Sequence, residues 1–142
     1  MTTEKTALLV AVLALIVSIG VPILQSKSNT KRMIATKRTL LLQRILAAKS
    51  VTFVSMHELI FLLKKHGDAM ELEQRASLEA MVPSMRVHHD ELEKLHLAWS
   101  DFDDGKSLRD IEAELIEIDS ACSEAEDTAM LIENGRRSYE GI

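Results

Sequence analysis

The sequence predicts an all-α protein with one N-terminal transmembrane helix followed by an antiparallel, coiled-coil-like helical bundle of about four helices. Only five Gly and two Pro occur in 142 residues, and no stretch alternates apolar and polar residues as a half-buried strand does. Residues Thr6 to Leu24 carry no charge. Apolar residues near the C-terminus recur at alternating spacings of three and four, which is typical of a helix packed along one stripe.

The uncharged segment 6–24 has the length of a membrane span. Its 19 residues reach roughly 28 Å as a helix, close to the thickness of the hydrocarbon core of a bilayer. A signal peptide has a shorter apolar region, about 7–15 residues, and an Ala-x-Ala-like cleavage site, whereas this segment ends in Pro22-Ile23-Leu24-Gln25-Ser26-Lys27. A soluble core helix would show a polar face. We therefore predict a transmembrane helix over 6–24, preceded by a short tail, 1–5.

Charge around this segment predicts its orientation. Only Glu4 and Lys5 precede it. The membrane-proximal basic residues that follow are Lys27, Lys31, Arg32, Lys37 and Arg38. The positive-inside rule then places the N-terminus outside and the C-terminal domain in the cytoplasm. The sequence thus indicates a single-pass membrane protein, and we expect it in a bacterial inner membrane.

Charge is also segregated along the chain. From Lys5 to His57 there are eight Lys or Arg and no acid, whereas from Glu58 to Ile142 nine Lys or Arg stand against 21 Asp or Glu. The basic part can lie against anionic headgroups of the lipid bilayer, pack against the acidic helices of the same or another chain, or serve only to set topology. Nucleic acid is not an expected partner, because the basic part lacks interleaved aromatics and the remainder repels phosphate.

Turn and capping residues divide the rest of the chain. A basic juxtamembrane segment and long helix, 25–66, has its helix from Asn29 to His66 and ends at Gly67, a favourable C′ residue. The acidic helical region 68–135 follows, and a short tail closes the chain. The predicted elements here are helices at about 68–82, 84–102 and 107–134, and a tail at 136–142.

Local signals set the bounds of those acidic helices. Asp68 with Glu71, and Ser107 with Asp110, have capping-box spacing. Pro83 disfavours helical geometry in the residue before it, so a helix is expected to end there. The remaining stop signals are Gly105 and Asn134-Gly135.

The segment Val51–Leu63 has nine apolar residues in thirteen, too many for one narrow stripe. It is either the central helix of the bundle or an interfacial or re-entrant membrane element. Lys49, His57 and Glu58 argue against a full span, because charges near mid-membrane cost about 2.5–3.5 kcal/mol each. The buried helix is the favoured interpretation.

The last helix carries an interaction seam at regular heptad spacing. Its members are Leu108, Ile111, Leu115, Ile118, Cys122, Ala125, Ala129 and Ile132. The flanking positions are mostly acidic, so a homodimer along this helix would bring like charges together. A basic partner helix is a better match, and the basic first helix of the same chain is one candidate.

A few residues in the third predicted helix have the spacing of weak metal ligands. His89, Glu93 and His96 share a face, and Glu93 with His96 forms the Glu-x-x-His step used in di-iron bundles. Such sites need two of these steps and two further Glu, and the chain has one step. We therefore expect no metal and no cofactor.

The segment 101–112 resembles a calcium loop in part. Acids occupy its first, third and twelfth places, but Gly105 stands fifth and Lys106 sixth, where a calcium loop needs an oxygen ligand and Gly. A helix stop at Gly105 followed by a helix start at Ser107 explains the same residues and is the favoured interpretation.

The sequence contains no pattern expected of an enzyme. It has no Gly-rich phosphate loop, Gly-x-Ser-x-Gly or His-Glu-x-x-His, no small-molecule substrate is evident, and the lone Cys122 sits on an acidic seam that opposes thiolate formation. The leading hypothesis is a membrane-anchored helical interaction or scaffold protein that docks a partner helix or its own copy at the cytoplasmic membrane surface. The alternatives are an envelope or lysis-type protein with its helical domain outside, and a membrane-bound metal-binding bundle.

Overall fold

A computed structural model describes residues 2–101 and 104–140, and over these ranges the chain is helical, with no strand. The prediction of an all-α protein is confirmed. The elements are α1 (Thr2–His66), a 3₁₀ turn (Gly67–Ala69), α2 (Leu72–Ser100) and α3 (Leu108–Glu140). The chain divides into two units: an N-terminal segment, residues 1–36, and a helical unit, residues 37–142.

The N-terminal segment is the apolar part of α1. An 18-residue window in this helix has a mean hydropathy of 2.9, and none of it is buried against the protein. The helix is thus long and apolar enough to cross a membrane.

The predicted break between a span at 6–24 and a helix from Asn29 is wrong, because α1 continues through Pro22 and the polar residues after it. The hydroxyls in this stretch bond to carbonyls of their own helix: Ser18 donates to the Leu15 carbonyl and Thr30 to the Ser26 carbonyl, both at 2.9 Å. They therefore occupy helix carbonyls and do not draw the backbone into a turn.

Each helix of the helical unit contributes one stripe of buried residues to a shared core. On α2 the stripe is Leu78, Met85, Leu92 and Trp99, at intervals of seven. On α3 it comprises six of the eight seam residues, all but Leu108 and Leu115. On α1 the stripe alternates spacings of three and four, and its members are Arg38, Leu41, Ile45, Ala48, Thr52, Ser55, Leu59 and Leu62.

Contacts between distant residues give the directions of the helices. Lys37 pairs with Glu112, and Arg44, one heptad on, pairs with Asp119, so α1 and α3 run parallel. Lys49 pairs with Glu93, whereas Phe53, four residues later, contacts His89, so α2 runs antiparallel to both. At the end far from Lys37 the helices share one apolar cluster, whose buried members are Leu59, Leu62, Met70, Leu78, Met85, Ala129 and Ile132.

The two helices predicted on either side of Pro83 form a single helix, α2. The helical unit therefore has three α-helices over the described residues, and the predicted number of four is wrong. A proline inside a helix removes one backbone hydrogen bond and costs about 3 kcal/mol. Leu78 and Met85 lie seven residues apart on one stripe and are both buried, so continuity of the helix through Pro83 keeps both in the core.

The connection between α1 and α2 differs from the predicted capping box. Glu71, not Asp68, is the N-cap of α2, and it makes no side-chain cap bond, while Asp68 pairs with Arg75 at 3.4 Å. Met70 explains the shift, because its backbone is extended and its side chain belongs to the apolar cluster. Gly67 does follow the last residue of α1, as predicted, but it begins the 3₁₀ turn.

The connection between α2 and α3 matches its prediction where it is described. Gly105 has φ of +73°, a left-handed conformation that favours glycine. Ser107 and Asp110 form a reciprocal capping box: the Ser107 N–H donates to the Asp110 carboxylate at 2.9 Å, and the Asp110 N–H donates to Ser107 Oγ at 3.2 Å.

The C-terminal stop predicted at Asn134-Gly135 is wrong, since α3 continues to Glu140. Arg136 holds this extra turn, because it pairs with Glu133 and Glu140 on its own helix. Tyr139 packs against the apolar cluster and lies beside His66, with ring centroids 5.4 Å apart.

Replacement of Pro83 by alanine tests the cost of continuity in α2. Pro83 is exposed, and Pro83→Ala supplies a donor for the carbonyl one turn earlier, so we expect the free energy of unfolding to rise by about 1–3 kcal/mol. The measurement is denaturant unfolding of the full chain in detergent, with Ser84→Ala as a control that changes it by about 0.5 kcal/mol or less. A destabilised Pro83→Ala chain would contradict this account.

Candidate interaction surfaces

The membrane-proximal basic residues divide into two groups. Lys37 and Arg38 belong to the helical unit and pair within the chain, Lys37 with Glu112 at 2.7 Å and Arg38 with Asp104. The other group, Lys27, Lys31 and Arg32, is exposed and makes no ion pair with any residue that the structure describes. The cations of the first group thus pair with acids of the same chain, whereas those of the second group have no acid partner among the described residues.

Arg38 is the most buried charge in the described part of the chain, with 1% of its surface exposed. Its guanidinium donates to the Asp104 carboxylate and, at 3.2 Å, to the Asp101 carbonyl. Its central carbon lies 5.1 Å from the ring centroid of Trp99, and Lys106 Nζ lies 4.0 Å from the same ring. One α1 residue thus holds the last residue of α2's stripe and the connection to α3, through a paired charge and a cation–π contact.

Asp104 and Asp110, two acids of the calcium-like segment, have partners within the chain. Partial desolvation acts to raise the pKa of Asp104, but the Lys106 N–H and the Arg38 guanidinium outweigh it and hold that pKa below its ordinary value. Hydrogen bonds from the Ser107 backbone and hydroxyl lower the pKa of Asp110. The structure supports the stop-and-start interpretation of this segment. Phe102 and Asp103 lie outside the described residues.

Arg44 links α1 to two acids of α3 that lie on either side of the lone cysteine in the sequence. It pairs with Glu126 and lies 3.5 Å from Asp119, and its hydrogen bond to Glu126 raises its pKa. Cys122 is fully buried, and desolvation raises the pKa of its thiol, although Arg44 acts in the opposite direction. Burial thus opposes formation of the thiolate.

The predicted interaction seam faces the chain's own helices. Six of its eight residues are buried, and Ala129 and Ile132 lie in the cluster with Leu59 of α1 and Met85 of α2. Leu115 remains 43% exposed. The basic helix considered as one candidate partner for this seam is α1 of the same chain, and the buried part of the seam packs in the core that it shares with α1 and α2.

The segment Val51–Leu63 is part of α1, and its two faces differ. Thr52, Ser55, Leu59 and Leu62 point into the core. The rest of its surface carries large exposed apolar side chains, namely Val51, Phe53, Val54 and Phe61. The excess of apolar residues that the sequence shows here is therefore divided between the core and an uncovered outer face.

The weak metal candidates are only partly brought together. Ligand atoms of His89, Asp90 and Glu93 lie within 4.8 Å of one another, so Asp90 takes the place predicted for His96. Lys49 Nζ lies 3.7 Å from a Glu93 carboxylate oxygen, and an ammonium at that position competes with a cation. The expectation of no metal stays a prediction.

A groove of about 260 Å³ runs between α1 and α3. Leu40 and Leu115 lie on its two sides with 59% and 43% of their surfaces exposed, and Leu41 and Ile111 form its floor. Its charged rim consists of cations on α1 and acids on α3, namely Lys37 and Arg44 opposite Glu112 and Asp119.

Ion pairs also join the helices near the C-terminus of α3. Arg136 lies 3.8 Å from Glu58 of α1 and pairs with Glu133, which also accepts from Arg137. Hydrogen bonds from these two arginines lower the pKa of Glu133 to about 2.

Comparisons with known proteins add no relative: no protein-family model, curated protein or solved structure matches the chain. The assignment of function therefore rests on the surfaces described above.

Removal of Arg38 tests its role as a buried charge. In Arg38→Ala the chain loses the guanidinium that pairs with Asp104 and packs on Trp99, and we expect the free energy of unfolding to fall by about 3 kcal/mol. The adjacent Lys37→Ala removes an exposed pair and should cost less than about 1 kcal/mol. The free energy of unfolding of both variants is measured by chemical unfolding in detergent. Equal losses would show that the burial of Arg38 adds nothing to its contribution to stability.

The pKa of Glu133 predicts a specific acid sensitivity. A carboxyl whose pKa is about 2 when folded and 4.5 ordinarily stabilises the fold fully above pH 4.5, and this stabilisation is lost as the pH falls towards 2. Thermal midpoints measured from pH 7 to pH 2 should fall less steeply below pH 4.5 in Glu133→Gln than in the unmodified chain. Glu124→Gln, on the same helix, is the control and should keep the original slope.

Proposed function

We propose that this protein is a single-pass membrane-anchored interaction module that docks a partner helix or a second copy of itself at the cytoplasmic membrane surface. The observation that carries the proposal is the fully unburied apolar window of α1, with its mean hydropathy of 2.9. In this proposal the bilayer covers that surface and the helical unit is the part that meets other proteins.

The exposed apolar surface of α1 supports a membrane anchor. Every large apolar side chain from Leu8 to Leu24 is exposed in the chain by itself, and burial of each is worth about 1.5–3 kcal/mol. No other part of the described chain covers them, so a bilayer is the environment that matches them in length and polarity. A helix also satisfies its own backbone, as a lipid environment requires.

The orientation rests on the unpaired cations. Lys27, Lys31 and Arg32 follow the apolar window and have no acid to neutralise them in the described chain. Three free cations at this position favour retention of that side in the cytoplasm, and anionic headgroups there add about 1 kcal/mol for each. The N-terminus then lies outside.

The docking role rests on the surface of the helical unit. Exposed apolar side chains lie on α1 beside the groove to α3, and the outer face of α3 presents unpaired acids, among them Glu117, Glu124 and Asp127. Large exposed apolar areas with charged borders are typical of protein contact surfaces. We infer a binding module from this combination.

A topology assay tests this function. A reporter active only in the cytoplasm, fused after Ile142, should be active, the same fusion to a reporter active only outside should be silent, and the protein should stay in the membrane through an alkaline carbonate wash. Conversion of Lys27, Lys31 and Arg32 to glutamine should shift a measurable fraction of chains to the opposite topology.

The matched control converts Lys64 and Lys65, two exposed cations of the helical unit, to glutamine and should leave topology unchanged. An active external reporter on the unmodified chain would contradict the orientation, and release by carbonate would contradict the anchor.

A further inference from the structure

We infer that the occupant of the groove between α1 and α3 is a second copy of this chain, related by a two-fold axis parallel to the two helices. This inference rests on the proposed function and names the partner that the module docks. The face that carries it is the groove rim together with the exposed apolar side chains beside it.

The rim charges are arranged so that the face complements itself. Cations lie along the α1 side of the groove and acids along the α3 side. Consider a two-fold axis that lies in front of the groove and runs parallel to the helices. Rotation by 180° about this axis places α1 of each copy opposite α3 of the other copy. Each row of cations then faces a row of acids. A homodimer along α3 alone would instead bring acid against acid.

The register between the copies follows from the contacts within one copy. Lys37 is level with Glu112, and Arg44 is level with Asp119, because these residues pair within the chain. A two-fold axis parallel to the helices conserves height, so Lys37 of one copy is also level with Glu112 of the other. The side chains in these pairs are a third or more exposed, so they can extend their networks across the interface.

The centre of the face is apolar, as a dimer contact requires. Leu40 and Leu115 line the groove at the same height and are largely exposed. Val51 continues this surface along α1, and the neighbouring Ile116 adds to it on α3 with 78% of its surface exposed. Val51 lies eleven residues, close to three helical turns, after Leu40, so it is on the same side of α1 as Leu40.

The direction in which the two chains enter the dimer agrees with two copies that leave one membrane on the same side. In the proposed dimer α1 and α3 of both copies run parallel, and both chains enter the dimer at the Lys37 end. A two-fold axis perpendicular to the helices would reverse one copy.

A cross-linking experiment between two different chains tests the arrangement. Both chains carry Cys122→Ala; one adds Leu40→Cys and the other, with a longer tag, adds Leu115→Cys. They are co-expressed in membranes and treated with a short bis-maleimide. A cross-link between the two can only be intermolecular, and we expect it at least tenfold above a control pair in which Leu97→Cys, on the exposed face of α2, replaces Leu115→Cys.

A charge exchange tests the register independently. The chain with Lys37→Glu and Glu112→Lys keeps its internal pair with the signs reversed, and its homodimer keeps opposite charges across the interface. A mixed dimer with the unmodified chain brings like charges together. We expect differently tagged chains to co-purify within each type and mixed dimers to be about threefold rarer.

The outcomes separate this inference from the proposed function. Equal cross-linking of the Leu97→Cys control, absence of the cross-link, or free mixing of the two charge types overturns the two-fold dimer. If the cross-link is absent while the protein resists carbonate and its C-terminus is cytoplasmic, the dimer is wrong and the anchored module stands. Release of the protein by carbonate instead overturns the proposed function.

Discussion

The match between a basic α1 and an acidic α3 governs the helical unit. Short connections force α2 to run antiparallel to α1 and α3 to return parallel to α1. Lys37 and Arg44 of α1 then lie level with the acids Glu112, Asp119 and Glu126 of α3. Individually these exposed pairs contribute little. Together they select which face of α3 packs against α1, while the small seam residues Ala125 and Ala129 fill the core beneath them.

The regular seam of α3 was predictable because its apolar pattern is unbroken, and the structure buries six of its eight residues. The equally regular seam of α1 was not identified, although its spacing was the available signal. Arg38, Thr52 and Ser55 interrupt it with polar side chains. Their burial depends on partners that spacing does not reveal: Asp104 and Trp99 for Arg38, and the Ala48 carbonyl, at 2.7 Å, for the Thr52 hydroxyl.

Local stop signals were reliable only where no packing opposed them. Gly105 and the capping box at Ser107 act in an exposed connection, and they appear as predicted. Pro83 and Gly135 lie between residues that the core or ion pairs hold in helical positions, and the helix continues through both. Propensity is a weak prior against tertiary packing. The groove and its rim were beyond prediction because they depend on which helix neighbours α3.

The partners of Arg38 and Arg44 also have a consequence for the order of events during synthesis. The Asp104 carboxylate lies 66 residues beyond Arg38, and Glu126 lies 82 residues beyond Arg44. At ordinary rates of translation the first of these intervals lasts roughly 3–13 s. Within that interval α1 is completed at His66 and α2 at Ser100, but Arg38 still lacks Asp104 and the inner stripe of α1 still lacks α3. The nascent chain therefore exposes an apolar and cationic helix until α3 has been made.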